Sequence, residues 1–203
     1  MILLLYDRRA LMVRPAESHE TLSLERTGLG NPSYGPCFMS ACTGNASGCI
    51  FLCDTLVGHH LMESIRVQLG IVGKLVVNKI GRSGGLCLFW ADSVSVKLLS
   101  FSFFHIDVLV DDSSSNCWRF TGFYGHPEAS QRIHGWNLLR RLSSLHNFPW
   151  FCGGDYNEIL NDNEKKGGSN RAQGLMDNFG QALDDCNLLD LGFVICGFDV
   201  HLV

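Results

Sequence analysis

The sequence predicts a mixed α/β (α+β) fold, and three observations lead to that prediction. The chain has 203 residues, 46% of them hydrophobic, which is enough for one domain with a buried core. Short β-rich runs joined by turns follow one another from residue 74 to residue 124, with no long helical pattern between them, and this indicates an antiparallel meander. Two later stretches with helical periodicity should cover a sheet face.

The predicted elements begin at residue 50. Ile50-Phe51-Leu52-Cys53 is a candidate for a buried strand that ends at Asp54, and Leu61, Ile65 and Leu69 then follow at helical spacing. The strand candidates of the meander are Lys74 to Asn78, Leu86 to Trp90, Val94 to Leu99, Ile106 to Val110 and Trp118 to Tyr124.

The last third of the chain alternates helical and apolar patterns. The first helix should turn one apolar stripe to the sheet and leave its arginines off that stripe. The stripe consists of Ile133, Trp136, Leu139, Leu142 and Leu145, and the arginines are Arg132, Arg140 and Arg141. A second helix carries Leu175, Met176, Phe179 and Leu183, and an apolar run over 188–194 follows it.

The two ends of the chain lack such patterning. Residues 1–49 show no sustained period and contain turn-rich clusters such as Asn31-Pro32-Ser33-Tyr34-Gly35-Pro36, so we expect loop or disorder for much of this segment. Residues 195–203 show no cap or turn signal and form an aberrant tail. The predicted domain therefore covers 50–194.

Composition limits the possible partners and compartments. A net charge of −4 provides no overall attraction to nucleic acid, so contact with phosphate requires a local patch or a bound metal. Nine irregularly spaced cysteines are typical of reduced thiols in an intracellular protein, nuclear or cytoplasmic. The uncharged stretch from Thr27 to Cys53 is interrupted too often for a membrane span, and Met1 to Leu5 is too short for a signal peptide. We expect no membrane association.

The stretch from Phe148 to Ile159 is the best candidate for a functional site. An apolar run of strand length leads into two glycines and then into Asp155 and Asn157, spaced so that both side chains point to one side of an extended chain end. Carboxylate and amide oxygens suit a hard divalent cation and an oxyanion bound to it. An ordinary turn is the alternative, because Gly, Asp and Asn are common turn residues. This stretch alone leaves both interpretations open.

Read together, the motifs resemble the endonuclease/exonuclease/phosphatase superfamily, and most closely the endonuclease domain of plant non-LTR (LINE-type) retrotransposon polyproteins. The resemblance is carried by stretches in the family's order and approximate spacing, and its coverage is good from about Phe51 to Val194. They are Gly28-Leu29-Gly30-Asn31-Pro32, Phe51-Leu52-Cys53-Asp54-Thr55, Gly81-Arg82-Ser83-Gly84-Gly85-Leu86, His105-Ile106-Asp107-Val108, Arg119-Phe120-Thr121-Gly122-Phe123-Tyr124-Gly125-His126-Pro127-Glu128, Gly154-Asp155-Tyr156-Asn157-Glu158-Ile159-Leu160 and Leu189-Asp190-Leu191-Gly192-Phe193.

The resemblance implies a four-layer α/β sandwich of two mixed, largely antiparallel sheets flanked by helices. It also implies hydrolysis of a phosphodiester in DNA with Mg²⁺ or Mn²⁺. By motif, Asp155 and Asn157 match the pair that contacts the nucleophile and the phosphate, and Tyr124 matches the tyrosine that reaches a phosphate oxygen. Asp54 stands where the family has its metal-binding glutamate.

Departures from the family pattern reduce the expected activity. Glu25 stands in place of the asparagine that helps to position the metal. The Asp54 side chain is one methylene shorter than the family's glutamate, so its carboxylate reaches about 1.5 Å less far toward a Mg²⁺ ion that needs bonds near 2.0–2.1 Å. The chain also ends before the family's terminal Ser-Asp-His segment, so we expect an incomplete sandwich with little activity. A cut sheet edge of this kind is prone to self-association, and the sequence does not indicate an oligomeric state.

Alternative interpretations remain for the function and for single residues. The chain could be a non-catalytic module that binds nucleic acid or protein, or a phosphatase or RNA nuclease of the same superfamily. Arg82 and His126 are candidate phosphate contacts. The alternatives are that Arg82 is a solvated arginine in a turn and that His126 only helps to form its loop. His105 is open between a cap and a site role, and Asp107 is expected at a sheet edge. We interpret Trp118 and Trp150 as core residues.

Overall fold

The computed structural model describes residues 10–14, 38–42, 49–55, 59–79, 81, 84–111, 117–164 and 170–193. These residues form ten strands and three α-helices. In chain order the elements are β1 Ala10–Arg14, β2 Phe38–Cys42, β3 Cys49–Cys53, α1 His59–Gln68, β4 Gly73–Val77, β5 Leu86–Trp90, β6 Ser95–Ser102, β7 His105–Asp111, β8 Cys117–Tyr124, α2 Arg132–Leu145, β9 Trp150–Asp155, α3 Gln173–Asp185 and β10 Leu188–Phe193.

The strands form two sheets. A six-stranded sheet has the order β10-β1-β9-β8-β7-β6, in which the pairs from β10 to β8 are parallel and those from β8 to β6 antiparallel. A four-stranded sheet has the order β2-β3-β5-β4 and is antiparallel throughout. The predicted meander is confirmed in β4–β5 and in β6–β7–β8. The sheets are mixed and largely antiparallel, as expected.

Three apolar clusters separate four layers. The cluster between the two sheets includes Phe51, Leu88, Ile106, Val108 and Phe120. The cluster between the six-stranded sheet and helices α2 and α3 includes Phe123, Trp136, Leu139, Cys152 and Phe179. The cluster between the four-stranded sheet and α1 includes Leu52, Met62, Ile65, Cys87 and Phe89. Neighbouring strand residues enter different clusters because side chains alternate across a sheet. The predicted α/β sandwich is confirmed in this order of layers.

The prediction of loop in the first 49 residues is wrong for two segments. Ala10–Arg14 lies inside the six-stranded sheet, in parallel pairing with both β9 and β10. Phe38–Cys42 forms the outer strand of the four-stranded sheet, antiparallel to β3. Five-residue strands carry little periodicity, and the partners of Ala10–Arg14 lie at the far end of the chain. Pairing between distant segments, rather than local propensity, makes β1 a strand.

Helix α2 buries a different stripe from the one predicted. Trp136, Leu139 and Leu142 face the sheet as expected, but Ile133 and Leu145 are 41% and 49% exposed. Arg132, predicted to lie off the stripe, is buried instead. A buried arginine needs bound partners for its guanidinium group, and Arg132 has them in the loops beside the candidate site.

A buried polar network lies between the six-stranded sheet and α2. Asp107 is completely buried on β7, between β6 and β8, so its predicted place at a sheet edge is wrong. Its carboxylate accepts hydrogen bonds from Nε and Nη2 of Arg119 at 2.8 and 2.9 Å and from the Thr121 hydroxyl at 2.7 Å. Arg119 Nη1 also donates to the carbonyl oxygen of Leu142 on α2, at 2.8 Å. The network therefore fastens α2 to the sheet.

The two tryptophans of the β8–β9 region belong to the core, as predicted. Trp150 is 7% exposed, its indole N–H donates to the Thr121 hydroxyl at 2.8 Å, and the Arg119 guanidinium lies over its ring. Trp118 packs against the cluster between the sheets. Cys49, Cys117, Cys152 and Cys186 are free thiols, and no helix of the described residues is long and apolar enough to cross a membrane.

Candidate functional site

The candidate site lies at the edge where β8 and β9 end. These strands run parallel and in register, with Tyr124 opposite Asp155, so both residues reach the same edge of the sheet. Strand β3 of the other sheet ends at Cys53, and Asp54 follows it directly. Because Cys53 and Tyr124 share the cluster between the sheets, the ends of β3 and β8 lie together.

Tyr124 connects the two carboxylates of this edge. Its ring is buried, at 4% exposure, and its hydroxyl lies close to the carboxylate of Asp54. Burial raises the pKa of Tyr124 strongly, and the negative charges of Asp54 and Asp155 raise it further. The phenol therefore keeps its proton at neutral pH and acts as a hydrogen-bond donor. The structure thus brings Asp54, Tyr124 and Asp155 into one electrostatic group.

Asp54 is held in a special backbone conformation. Its φ of 52° lies in the left-handed region, which aspartate tolerates better than most residues. The backbone N–H of Gly84 donates to Asp54 Oδ1 at 3.1 Å, and the Thr55 N–H donates to the Gly85 carbonyl oxygen at 3.1 Å. The glycine turn before β5 therefore orients the carboxylate that approaches Tyr124.

Asp155 is the last residue of β9, as expected for a strand end, but Asn157 follows in a turn rather than on an extended chain, so that part of the prediction is wrong. Asp155 Oδ1 accepts the backbone N–H of Asn157 at 2.8 Å, the local bond by which aspartate stabilises a turn. Asn157 has a φ of 53°, and its Nδ2 donates to the Gly125 carbonyl oxygen at 2.8 Å. The stretch is a turn, and the turn also joins the loops that follow β8 and β9.

Two glycines permit the close approaches that assemble the site. A Cβ on Gly122 would overlap the ring of Phe51, so only glycine lets β3 come this near to β8. A Cβ on Gly125 would overlap the Tyr156 carbonyl oxygen. The Gly125 N–H donates to the Asp155 carbonyl oxygen at 2.6 Å, which continues the pairing of the two strands into their loops.

Of the remaining candidates from the sequence, the two described histidines make contacts in neighbouring loops rather than at this edge. Glu25 and Arg82 lie outside the described residues. His126 is half-buried, its Nδ1 accepts the backbone N–H of Glu128 at 3.1 Å, and its ring lies 5.5 Å from that of Phe104. These contacts are those of a loop former. His105 is buried and hydrogen-bonded to two serine hydroxyls, at 3.0 and 2.7 Å, which places it in the β6–β7 hairpin as a structural residue.

The sequence prediction missed a buried ionic cluster behind the site. The Glu158 side chain is completely buried, with Arg132 Nη1 2.7 Å from Oε2 and Arg171 Nε 2.8 Å from Oε1. Arg132 also donates to the carbonyl oxygens of His126 and Pro127, at 3.2 and 3.0 Å. The available signal was Arg132, a charged residue at the start of a helix with an apolar face. Its partner, Glu158, directly follows Asn157 in the chain.

The donor set fits a divalent cation of the Mg²⁺ type. Mg²⁺ binds through one or two carboxylates together with water and substrate phosphate, rather than in a cage of protein ligands. Asp54 and Asp155 provide two carboxylates around one tyrosine hydroxyl, which matches that requirement. Among the described residues no three His, Cys, Asp or Glu side chains form a metal-binding group, so a cage as for structural zinc is not formed there.

Comparisons with known proteins do not extend this description. No protein-family model matches the chain, and a search of curated proteins finds no match. The resemblance to retrotransposon endonucleases therefore stays a prediction, and the functional inference depends on the geometry of Asp54, Tyr124, Asp155 and Asn157.

Proposed function

We propose that this chain is a divalent-metal-dependent phosphodiester hydrolase of the retrotransposon endonuclease type, with DNA as its substrate and a low turnover. The observation that carries the proposal is the convergence of Asp54 and Asp155 on the buried hydroxyl of Tyr124, at the edge where strands from both sheets end. Two carboxylates and a neutral phenol are a fitting combination for a metal-bound phosphate, since they supply anionic ligands and a hydrogen-bond donor.

Each residue has a role that follows from its contacts. Asp54 and Asp155 would hold Mg²⁺ or Mn²⁺, which when bound neutralises charge on the phosphate and on the leaving oxygen. Tyr124 is a neutral phenol with one O–H, which would turn from Asp54 to a phosphate oxygen once the metal holds that carboxylate. Asn157 uses one amide N–H to hold Gly125 and has a second for the substrate.

Low turnover follows from two features of this edge. The carboxylate of Asp54 reaches about 1.5 Å less far than that of the glutamate expected by motif, and Mg²⁺ requires short bonds. The two histidines nearest to Tyr124 in the chain make structural hydrogen bonds, since His126 Nδ1 accepts the backbone N–H of Glu128 and serine hydroxyls bind both ring nitrogens of His105. If neither acts as a general base, the rate is about 10²–10⁴-fold lower.

A specific observation favours a second candidate, a module that binds nucleic acid without cleaving it. Phe101 and Phe103 are 60% and 51% exposed on the β6–β7 hairpin. The neighbouring Phe104 is tied to the site, because its carbonyl oxygen accepts the Tyr124 N–H at 2.8 Å. Exposed aromatic rings beside a phosphate site are suited to stacking on unpaired bases.

Free thiols are compatible with a nuclear or cytoplasmic location for either function. Any self-association of the chain would involve the edges of its sheets.

A plasmid-nicking assay separates the two candidates. Supercoiled plasmid is incubated with excess protein and Mg²⁺ or Mn²⁺, using the native chain, Asp155→Ala and the exposed-site control Asp185→Ala. We expect slow, metal-dependent nicking by the native chain and the control, and none by Asp155→Ala. Equal nicking by native chain and Asp155→Ala would reject the hydrolase. DNA binding without nicking by any of the three would favour the binding module.

A further inference from the structure

We infer that Glu158 is a positioning residue that fixes the loop after β9 against the loop after β8. The inference rests on the proposed function in so far as these loops carry Asp155, Asn157 and the residues after Tyr124. Glu158 does not touch this edge through its own side chain. It acts through Arg132, whose guanidinium binds both Glu158 and the loop after β8.

The contacts define a closed set of connections. Arg132 Nη1 donates to Glu158 Oε2 at 2.7 Å, while Nε and Nη2 donate to the carbonyl oxygens of His126 and Pro127 at 3.2 and 3.0 Å. Glu158 Oε1 accepts the Ile159 N–H at 3.1 Å and lies 2.8 Å from Arg171 Nε. One carboxylate thus joins both loops to the first residue of α2 and to the segment that enters α3.

Burial makes this arrangement unlike an ordinary surface ion pair. The side chains of Glu158 and Arg132 are 0% and 6% exposed, and that of Arg171 is 24% exposed. Buried ion pairs recover little net stability after desolvation, but removal of one partner leaves an uncompensated charge. Such a cluster therefore contributes most by allowing only one arrangement of the segments that it joins, in this case the two loops of the site.

Two hydrogen bonds also join the same loops directly, and the ionic cluster of Glu158, Arg132 and Arg171 would protect them. The Gly125 N–H donates to the Asp155 carbonyl oxygen at 2.6 Å, and Asn157 Nδ2 donates to the Gly125 carbonyl oxygen at 2.8 Å. If Glu158 loses its charge, Arg132 loses its anionic partner and the loop after β8 is held less firmly. The backbone N–H groups of Gly125 and Asn157, which donate to the carbonyl oxygen and to Oδ1 of Asp155, should then open more often.

The test compares Glu158→Gln with Glu63→Gln. Glu63 is the control because it also binds two cations, Arg66 on α1 and Lys74 on β4, but it is 40% exposed and lies far from the β8 and β9 loops in the chain. Amide hydrogen exchange is followed by NMR well below the melting temperature. We expect exchange at Gly125 and Asn157 to accelerate at least about tenfold in Glu158→Gln, as for loss of one charged hydrogen bond, while Ile106 changes only as far as the loss of global stability measured by urea unfolding requires. Glu63→Gln should leave all three amides as in the native chain.

A second readout, Mn²⁺ titration of the same variants, separates this inference from the proposed function. Positioning predicts weaker Mn²⁺ binding in Glu158→Gln and native binding in Glu63→Gln. Unchanged exchange at Gly125 and Asn157 would overturn the inference, and so would faster exchange with native Mn²⁺ affinity. If no variant binds Mn²⁺, the proposed metal site fails, while faster exchange still supports the loop connection. Should Glu158→Gln not fold, Arg171→Gln removes only the half-exposed partner and should show the same pattern more weakly.

Discussion

Substitution of Asp107 by asparagine should destabilise the protein severely. Asp107 accepts three hydrogen bonds, two of them from Arg119, and both side chains are at most 1% exposed. An asparagine of the same shape turns one acceptor into a donor that faces a guanidinium donor, and it leaves the Arg119 charge buried without an anion. Breaking a buried pair in this way costs about 3–5 kcal/mol. Total stability is about 5–15 kcal/mol, so the loss is a large fraction of it.

The assay is urea unfolding followed by circular dichroism, with Asp185→Asn as the control. Asp185 also pairs with an arginine, Arg140, at 2.7 Å, but the two side chains are 39% and 32% exposed. Exposed pairs contribute about 0.2–1 kcal/mol. Since urea slopes are about 1–3 kcal/mol per molar, the Asp107→Asn midpoint should fall several times further than that of the control. Equal shifts would refute the reasoning. If Asp107→Asn does not fold, Thr121→Val, which removes one of the three bonds to Asp107 and the acceptor of the Trp150 N–H, should cost about 1–3 kcal/mol.

Two further predictions concern the sheet contact and the buried histidine. Gly122→Ala should destabilise the protein by about 1–3 kcal/mol, because its Cβ would overlap the Phe51 ring. The control Gly174→Ala, which places its Cβ in open space on α3, should be neutral or stabilising. Equal urea midpoints for the two variants would contradict the close approach of β3 and β8. Burial lowers the pKa of His105, so the unfolded chain binds the proton more readily and stability should fall as the pH drops below about 6.5 toward the folded pKa. His105→Gln should flatten this part of the stability profile, and an unchanged slope would show that other groups cause it.

Much of the fold could be predicted because its signals are local. Apolar runs punctuated by glycine, asparagine and serine marked β4 to β8, and 3.6-residue spacing marked α2 and α3. The strand Ala10–Arg14 could not be predicted in this way, because it depends on β9 and β10 at the other end of the chain. Asp107 was misplaced for a related reason. A carboxylate on a strand indicates an edge or solvent unless its buried partner is known.

The candidate site could also be predicted only in part, because side-chain contacts between distant residues are not visible in local sequence patterns. Motif order pointed to Asp54, Tyr124 and Asp155, and the register of β8 with β9 shows why Tyr124 and Asp155 meet. Sequence patterns left a turn open at this stretch, but they did not indicate the left-handed backbone of Asn157 or the bond from its side-chain amide to Gly125. They also missed Glu158, whose partner Arg132 is 26 positions away, because a charged residue beside a turn ordinarily indicates solvent exposure.

The central claim is that Asp54 and Asp155 hold one metal ion beside Tyr124. Its most direct test is Mn²⁺ titration by electron paramagnetic resonance of the native chain, Asp54→Asn, Asp155→Asn and the double variant, with Asp185→Asn as control. If both carboxylates bind the same ion, each single variant weakens binding, their effects are not additive, and the control binds as the native chain does. Native binding no tighter than that of the double variant would contradict the claim.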